Sequence, residues 1–156
     1  MYDENVRQKG KAGLTLIELL VVVSILAAVS SLALSSITTQ SLKGRDARRK
    51  ADLKQLQVRF EDYYNDRNCY PQPLTLDCNP GTAFQPYITK VPCDPRTNQS
   101  YAYQIESSTC PSWYRLFAKL EHEKDPDILE VGCSLGCGPG SAYDYGVSSP
   151  NIKLKI

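Results

Sequence analysis

The chain has 156 residues, with 18 Lys and Arg against 17 Asp and Glu, a single His and six Cys. This length allows one globular domain, and a net charge of +1 gives no electrostatic argument for a nucleic-acid partner. The composition differs between the two ends of the chain. All ten Pro and all six Cys lie after residue 68, whereas Glu18 is the only charged residue between Leu14 and Leu42. A simple soluble cytosolic domain is therefore excluded.

The first residues of the chain have the pattern of a membrane-inserted segment. Residues 1–13 form a polar leader with three basic and two acidic side chains, typical of a segment that stays in the cytoplasm beside a membrane. Residues 14–34 are mostly apolar, and a helix of that length spans about 31 Å, close to the thickness of a hydrocarbon core. We predict a transmembrane segment at about 14–35.

Glu18 interrupts this apolar segment. A carboxylate in such a position costs about 2.5–3.5 kcal/mol on insertion scales, so it is a functional candidate, unless it simply reaches the lipid headgroups. The segment itself has three interpretations. It is a secretory signal cut after the small residues 28–30, a plain signal anchor, or a membrane helix exposed by cleavage on its N-terminal side.

The residues around the start of the apolar segment favour the third interpretation. Gly13 is followed by Leu-Thr-Leu-Ile-Glu-Leu-Leu over residues 14–20, and this stretch resembles the class III signal of type IV pilins and type II secretion pseudopilins. The resemblance implies that a prepilin peptidase cuts between Gly13 and Leu14, methylates the new N-terminus and leaves Glu18 as the fifth mature residue. Leu14 replaces the Phe that is more usual there. The resemblance also implies that Glu18 neutralises the α-amine of a neighbouring subunit in a filament.

The chain beyond the apolar segment has the spacing of an amphipathic helix. Its apolar positions recur at intervals of 3, 4, 3 and 1, at Leu53, Leu56, Phe60, Tyr63 and Tyr64. Together with the apolar segment they predict one helix from residue 14 to about 64, which would be about 76 Å long and would need neighbours in other subunits. Many pilins have a Pro where this chain has Ser35. The basic residues at 45–50 are predicted to form a solvated helix face or to contact lipid headgroups.

Residues 65–156 are predicted to form a small extracytoplasmic head rich in loops. Residues 100–105 and 113–120 indicate two antiparallel strands, with a third strand near Ile152 to Ile156. The stretches 63–71 and 91–95 resemble the corresponding parts of major pseudopilins. The predicted fold class is α+β, with a long N-terminal helix packed on a small antiparallel sheet, as in pilins.

The six cysteines are predicted to form three disulfides, because they lie on the extracytoplasmic side. Fifteen pairings are possible, and pairing sequence neighbours predicts Cys69–Cys78, Cys93–Cys110 and Cys133–Cys137. A zinc site is the rival interpretation, but there is no Cys-x-x-Cys pair and only one His.

No cofactor and no catalytic role are predicted. Major pseudopilins often hold Ca²⁺ in a C-terminal loop, but residues 132–144 of this chain offer Asp144 as their only carboxylate. A disulfide-pinned loop without metal is therefore favoured over a Ca²⁺ site. Three further carboxylates are predicted to begin turns beside Pro, namely Asp94, Asp125 and Asp127. A single His leaves little basis for a catalytic triad or dyad, so we do not expect an enzyme.

The sequence thus predicts a structural subunit of a type IV pilus that polymerises through its N-terminal helix. Its expected partners are further copies of itself, a prepilin peptidase, pilus or secretion assembly machinery, and the membrane. The precursor is expected in the inner membrane and the assembled filament in the periplasm or outside the cell. The main alternative is the major pseudopilin of a type II secretion system. An alternative of another class is a secreted disulfide-rich binding domain behind an ordinary signal peptide.

Overall fold

The computed structural model describes Gly13 and residues 15–154, without the side chains of residues 32–38. Most of the predicted leader, together with Leu14, lies outside the described residues. The elements in chain order are α1 (Leu16–Arg67), the 3-10 helix η1 (Pro73–Leu76), β1 (Ala102–Ile105), β2 (Tyr114–Ala118), α2 (Pro126–Glu130), the 3-10 helix η2 (Pro139–Ser141) and β3 (Tyr145–Ser148). The described chain divides into two compact units, residues up to Thr39 and residues from Gln40 onward.

Helix α1 contains Gly44 without interruption and continues three residues past the predicted end near Tyr64. Asn68 stops the helix, because it adopts a φ of 56° and donates its backbone N–H to the carbonyl of Tyr64 at 2.7 Å. A left-handed residue just after the last turn is a common helix terminus, and Asn is one of the few non-glycine residues that adopt it readily. The predicted end near Tyr64 was therefore one turn too early.

The sheet has three antiparallel strands in the order β1-β2-β3. All five residues of the central strand β2 are buried, because both of its faces are covered. Tyr114, Leu116 and Ala118 belong to the main core, whereas Phe117 contacts the smaller cluster around Cys133 and Cys137. The sheet and the helix together confirm the predicted α+β class and the predicted pairing of the first two strands.

The third strand is β3 (Tyr145–Ser148), so its predicted position near Ile152 to Ile156 was wrong. Gly146 lies so close to β2 that a Cβ there would be 2.5 Å from the Leu116 carbonyl oxygen. This close approach explains why a glycine-containing segment, which lacks the alternation of a typical strand, completes the sheet. In the described part of the C-terminal segment, the carbonyl of Lys153 accepts a hydrogen bond from Arg115 Nε at 2.9 Å.

The main core forms where the second half of α1 packs on the sheet. Leu53, Leu56 and Phe60 are buried on one face of the helix. The Phe60 ring makes edge-on contacts with Tyr114 and Tyr103, with ring centroids 4.8 and 5.5 Å apart. Edge-to-face aromatic pairs of this kind add about 0.5–1.5 kcal/mol beyond their buried area. The predicted amphipathic spacing therefore identified the buried face of the helix.

Candidate functional site: the N-terminal assembly segment and its support

The first turn of α1 has a specific local geometry. Thr15 precedes the helix, and its Oγ1 accepts a hydrogen bond from the backbone N–H of Glu18 at 3.3 Å. A Thr followed three residues later by Glu is the sequence of a capping box, and a carboxylate in the first turn interacts favourably with the helix dipole. Glu18 therefore has a local stabilising role in addition to any role in assembly.

Gly13 lies just before this turn and is exposed. A Cβ built at Gly13 meets no heavy atom within 4 Å. A side chain at this position would therefore clash with no described part of the chain. Leu14, the predicted first residue after cleavage, lies outside the described residues.

The helix from Leu16 to Val29 presents apolar side chains on every side. Its large apolar residues are between 46% and 77% exposed, and they are Leu16, Ile17, Leu19, Leu20, Val21, Val22, Val23, Ile25, Leu26 and Val29. The hydroxyl of Ser24 donates back to the carbonyls of Leu20 and Val21, so it needs no partner outside the helix. A helix that is apolar all round is normally buried in a larger assembly or a bilayer.

Within residues 13 and 15–154, no helix has a stretch that meets both the length and the apolar character needed to cross a membrane. The transmembrane segment at about 14–35 stays a prediction.

The second half of α1 is joined to the head by a group of charged residues that we call the ionic cluster: Arg45, Asp46, Arg49, Asp94 and Glu121. Arg49 is at its centre, and only 3% of its side chain is exposed. Its guanidinium contacts Asp94 at 2.6 Å, Asp46 at 2.7 Å and Glu121 at 2.8 Å. Arg45 contacts Glu121 from the other side at 2.6 Å. The cluster thus connects one face of the helix with two separate loops of the head.

Asp46 does more than pair with Arg49. Its carboxylate also accepts the backbone N–H groups of Glu121 at 2.9 Å and of His122 at 2.8 Å. These contacts use both of its oxygens, and the residue is almost fully buried. Burying a carboxylate is costly unless it is paired and hydrogen-bonded, and here both conditions are met.

Two further ion pairs are formed by Lys50, the residue that follows Arg49 on the helix. Lys50 Nζ contacts Asp125 at 2.6 Å and Asp127 at 2.7 Å. Asp125 also accepts the backbone N–H of Asp127 and so caps α2. Asp94 accepts two backbone N–H groups in its own turn. The predicted turn roles of Asp94 and Asp125 are therefore confirmed, but both carboxylates also bind cations of α1.

The ionic cluster shifts the pKa values of its members. Hydrogen bonding from Arg45, joined by Arg49, lowers the pKa of Glu121 from 4.5 to about 2. Burial acts to raise the pKa of Asp94, but the hydrogen bonds from Arg49 and two backbone N–H groups outweigh it and lower the value from 3.8 to about 2. Both groups therefore favour the folded state most strongly when they are ionised.

The expectation that the basic residues at 45–50 form a solvated face was wrong for three of the four. Arg45, Arg49 and Lys50 pair with carboxylates of the head, and only Arg48 is exposed. A signal for this was present in the spacing. Asp46 and Arg49 continue the 3- and 4-residue intervals of Leu53, Leu56 and Phe60 toward the N-terminus, so they lie on the buried face.

All six cysteines are in disulfides, but the predicted pairing was wrong for four of them. The bridges are Cys69–Cys110, Cys78–Cys93 and Cys133–Cys137, of which only the last matches the prediction. The reason is that the turn between β1 and β2 returns to the end of α1, where the backbone N–H of Tyr70 donates to the carbonyl of Pro111 at 2.9 Å. Pairing sequence neighbours ignores this long-range contact.

Asp144, the one carboxylate of the loop at residues 132–144, accepts and pairs with donors of the protein itself. It accepts the backbone N–H of Leu120 at 2.7 Å and contacts Lys119 Nζ at 2.8 Å. In the described part of the chain, no group of three or more His, Cys, Asp or Glu is placed to hold a metal ion. The structure therefore gives Asp144 a role in positioning the chain after β2.

Comparison with known proteins identifies the N-terminal segment. A model of the prokaryotic N-terminal methylation motif matches residues 8–34. Searches among characterised proteins and among solved structures gave no match. The matched range contains Gly13, Leu14, Glu18 and most of the exposed apolar surface of α1. Residues 8–34 of this chain therefore carry the class III signal peptide of type IV pilins and pseudopilins, and this motif supports a processed subunit similar to pilins or pseudopilins.

Proposed function

We propose that this protein is the structural subunit of a type IV pilus filament and is not an enzyme. A prepilin peptidase removes residues 1–13, and the mature subunit resides in the inner membrane until it is assembled into a filament outside the cell. The observation that carries the proposal is the exposed apolar surface of α1 between Leu16 and Val29, which lies within the matched methylation motif. This surface is far larger than a monomeric soluble protein normally exposes.

Cleavage at Gly13–Leu14 supplies the second element of the proposed assembly chemistry. It creates a positively charged α-amine one residue before Thr15, at the end of α1 where the helix dipole disfavours a cation. A carboxylate that approaches this amine forms an ion pair with it, so that neither charge is left without a partner in a water-poor environment. In the proposed filament, Glu18 of one subunit provides this carboxylate for the amine of its neighbour.

A second candidate function is that of the major pseudopilin of a type II secretion system. The specific observation in its favour is the resemblance of residues 63–71 and 91–95 to the corresponding parts of major pseudopilins. The processing and the helix chemistry are the same in both functions. They differ in where the filament forms and in how long it grows.

Electron microscopy of cells that carry the protein with an epitope tag in an exposed head loop separates these functions. Long labelled fibres on the cell surface are expected for a pilus subunit. Short labelled structures confined to the periplasm would favour the pseudopilin. A monomeric protein found only in the medium would contradict both functions.

A further inference from the structure

Between residues 43 and 59, α1 has a face that its own head does not cover. Gly44, Ala47, Ala51 and Val58 lie at intervals of three, four and seven residues, so they share one side of the helix. All four are exposed, Val58 to 57%, and a Cβ added at Gly44 would meet no heavy atom within 4 Å. We call this strip the small-residue face. Because most of its side chains are small, another chain could pack close to the helix backbone on this face.

Cations line both sides of the small-residue face. Lys43 and Lys54 lie along one side, and Arg48 and Arg59 lie along the other. Each pair is separated by 11 residues, which is close to three helical turns and about 16 Å along the axis. All four are exposed, and among the described residues only Arg59 of these four has an ion-pair partner on α1, Asp62. The face is therefore apolar along its centre and positive along both edges.

The two carboxylates of the same stretch contact the head, and within the described residues neither forms an ion pair with the four flanking cations. Asp46 is buried in the ionic cluster, and Asp52 accepts the hydroxyl of Tyr101 at 2.7 Å. Among the described residues, Lys43 and Lys54 take part in no ion pair. A partner that covers the small-residue face should therefore carry an apolar side chain flanked by acidic groups.

The head of the same chain carries a surface with that character. Three leucines of the described head are strongly exposed, and Leu129 in α2 is one of them, at 75%. It is followed by the exposed Glu130, and the exposed Glu123 and Lys124 precede α2, so these three residues carry one net negative charge. The other two, Leu74 and Leu135, have no charged residue on either side in the sequence. The exposed side of α2 is thus the apolar and acidic counterpart of the small-residue face.

We propose that α2 of one copy docks on the small-residue face of α1 in the next copy, with Leu129 against Ala47 and Ala51. In this contact Glu123 and Glu130 face the flanking cations. The inference rests on the proposed function, because it names a subunit contact within the filament. Two different patches that complement each other form a head-to-tail contact, which propagates into an open filament.

The charge balance of the mature chain agrees with such a contact. Removal of residues 1–13 leaves 15 basic and 15 acidic side chains. With no net charge, subunits do not repel one another as a whole, and the separated positive and negative patches attract between copies.

Photo-crosslinking in assembled filaments tests the contact directly. A benzophenone amino acid replaces Leu129, and the matched control places it at Leu74, which is 89% exposed and lacks adjacent acidic residues. Mixed light and heavy isotope labelling identifies adducts between different copies. We expect the Leu129 probe to label residues 43–59 of another copy and the Leu74 probe not to do so. Labelling of other regions from position 129, or equal labelling of 43–59 by both probes, would overturn the proposal.

A charge swap provides an independent test in cells. Glu130→Lys and Lys54→Glu are each expected to lower the yield of sheared filaments at least about tenfold, because like charges would face each other, and the double variant should recover most of the loss. Lys90→Glu, at an exposed head lysine, is the control and should leave the yield unchanged. Single variants with normal filament yield, or a double variant with a yield no higher than the single variants, would overturn the proposed contact. The proposed function would still stand in that case, provided that wild-type cells make filaments. Wild-type cells without any filament would instead contradict the proposed function.

Discussion

The two parts of α1 differ in how their side chains are accommodated. Residues 40–67 bury Leu53, Leu56 and Phe60 in the core of the head and pair their buried charges with its loops. Residues 16–31 leave their large apolar side chains exposed, with Glu18 as their only charge. The second part is thus stabilised by contacts within the chain, whereas the large apolar side chains of the first part are not buried by the described residues.

This difference is consistent with elementary energetics. Burial of a large apolar side chain contributes about 1.5–3 kcal/mol, and the ten exposed apolar residues of the first part have not gained this energy in the isolated chain. An intrinsic preference for helix is much weaker per residue. Processing of the N-terminus and assembly should therefore depend on the first part, and the folding of the head on the second.

Blocking the cleavage site should have the largest effect on the first part. We expect Gly13→Val to accumulate as full-length precursor with no filaments, because a side chain at this position obstructs the peptidase. The folded chain has open space at Gly13, so the loss would not come from misfolding. Gly44→Ala, at a helical glycine that also has open space, is the matched control and should mature normally. Immunoblots of membrane fractions distinguish precursor from mature protein, and normal maturation of Gly13→Val would show that the assigned cleavage site is wrong.

Removing the charge of Glu18 separates its assembly role from its local role in the first helical turn. Glu18→Gln keeps a side chain that fits a capping box but has no charge, whereas Glu18→Val removes both features. We expect both variants to insert in the membrane and to make few filaments, because the α-amine at Leu14 loses its counter-charge. Filaments are counted by electron microscopy in cells that carry only the variant.

Ser24→Ala is the control for the Glu18 variants. Its hydroxyl donates to carbonyls of its own helix, so its removal should leave filament numbers unchanged. A Glu18→Gln variant with wild-type filament numbers would indicate that Glu18 acts through the capping box alone.

Breaking the ionic cluster should affect the head. We expect Asp46→Ala to lower the free energy of unfolding by about 3–5 kcal/mol, because it removes one of the three carboxylates that pair with buried Arg49 and leaves two backbone N–H groups without their acceptor. Asp62→Ala is the control, since its pair with Arg59 is about half exposed and is worth at most about 1 kcal/mol. Urea unfolding of the detergent-solubilised protein measures both. Equal losses in the two variants would contradict the structural role given to the cluster.

Lowering the pH should weaken the same contacts, with a smaller loss of stability than Asp46→Ala causes. The pKa of Glu121 falls from 4.5 in the unfolded chain to about 2 in the fold, so its contribution is complete above 4.5 and disappears as the pH falls toward about 2. The urea midpoints of the wild type and of Glu121→Gln should therefore converge as the pH is lowered through this range. A constant difference between the two proteins across the range would exclude ionised Glu121 as the source of the stabilisation.

Much of the fold could be predicted because it depends on local patterns. The 3- and 4-residue spacing of apolar residues identified the buried face of α1, and strand alternation identified β1 and β2. The third strand was misplaced because β3 depends on a close contact between Gly146 and β2, which is not visible in its own sequence. The pairing of Cys69 with Cys110 likewise depends on where a distant turn returns.

The candidate site was only partly predictable for the same reason. Gly13, Leu14 and Glu18 lie within a short matched motif, so the sequence alone is enough to predict them as site residues. Arg49 looks like one of several surface cations, and its partners Asp94 and Glu121 are 45 and 72 residues away in the chain. Charges whose partners are distant in sequence are difficult to separate from solvated ones, unless their spacing continues an apolar stripe.

The N-terminus of the mature protein tests the central claim most directly. Intact mass and N-terminal fragment analysis of subunits from sheared filaments and from membranes would show where the chain begins. We predict a mature chain that starts at N-methylated Leu14, with Glu18 as its fifth residue. A chain that starts at Ser31 would show that an ordinary signal peptidase removes the apolar segment, and it would contradict the proposed role of this segment in assembly.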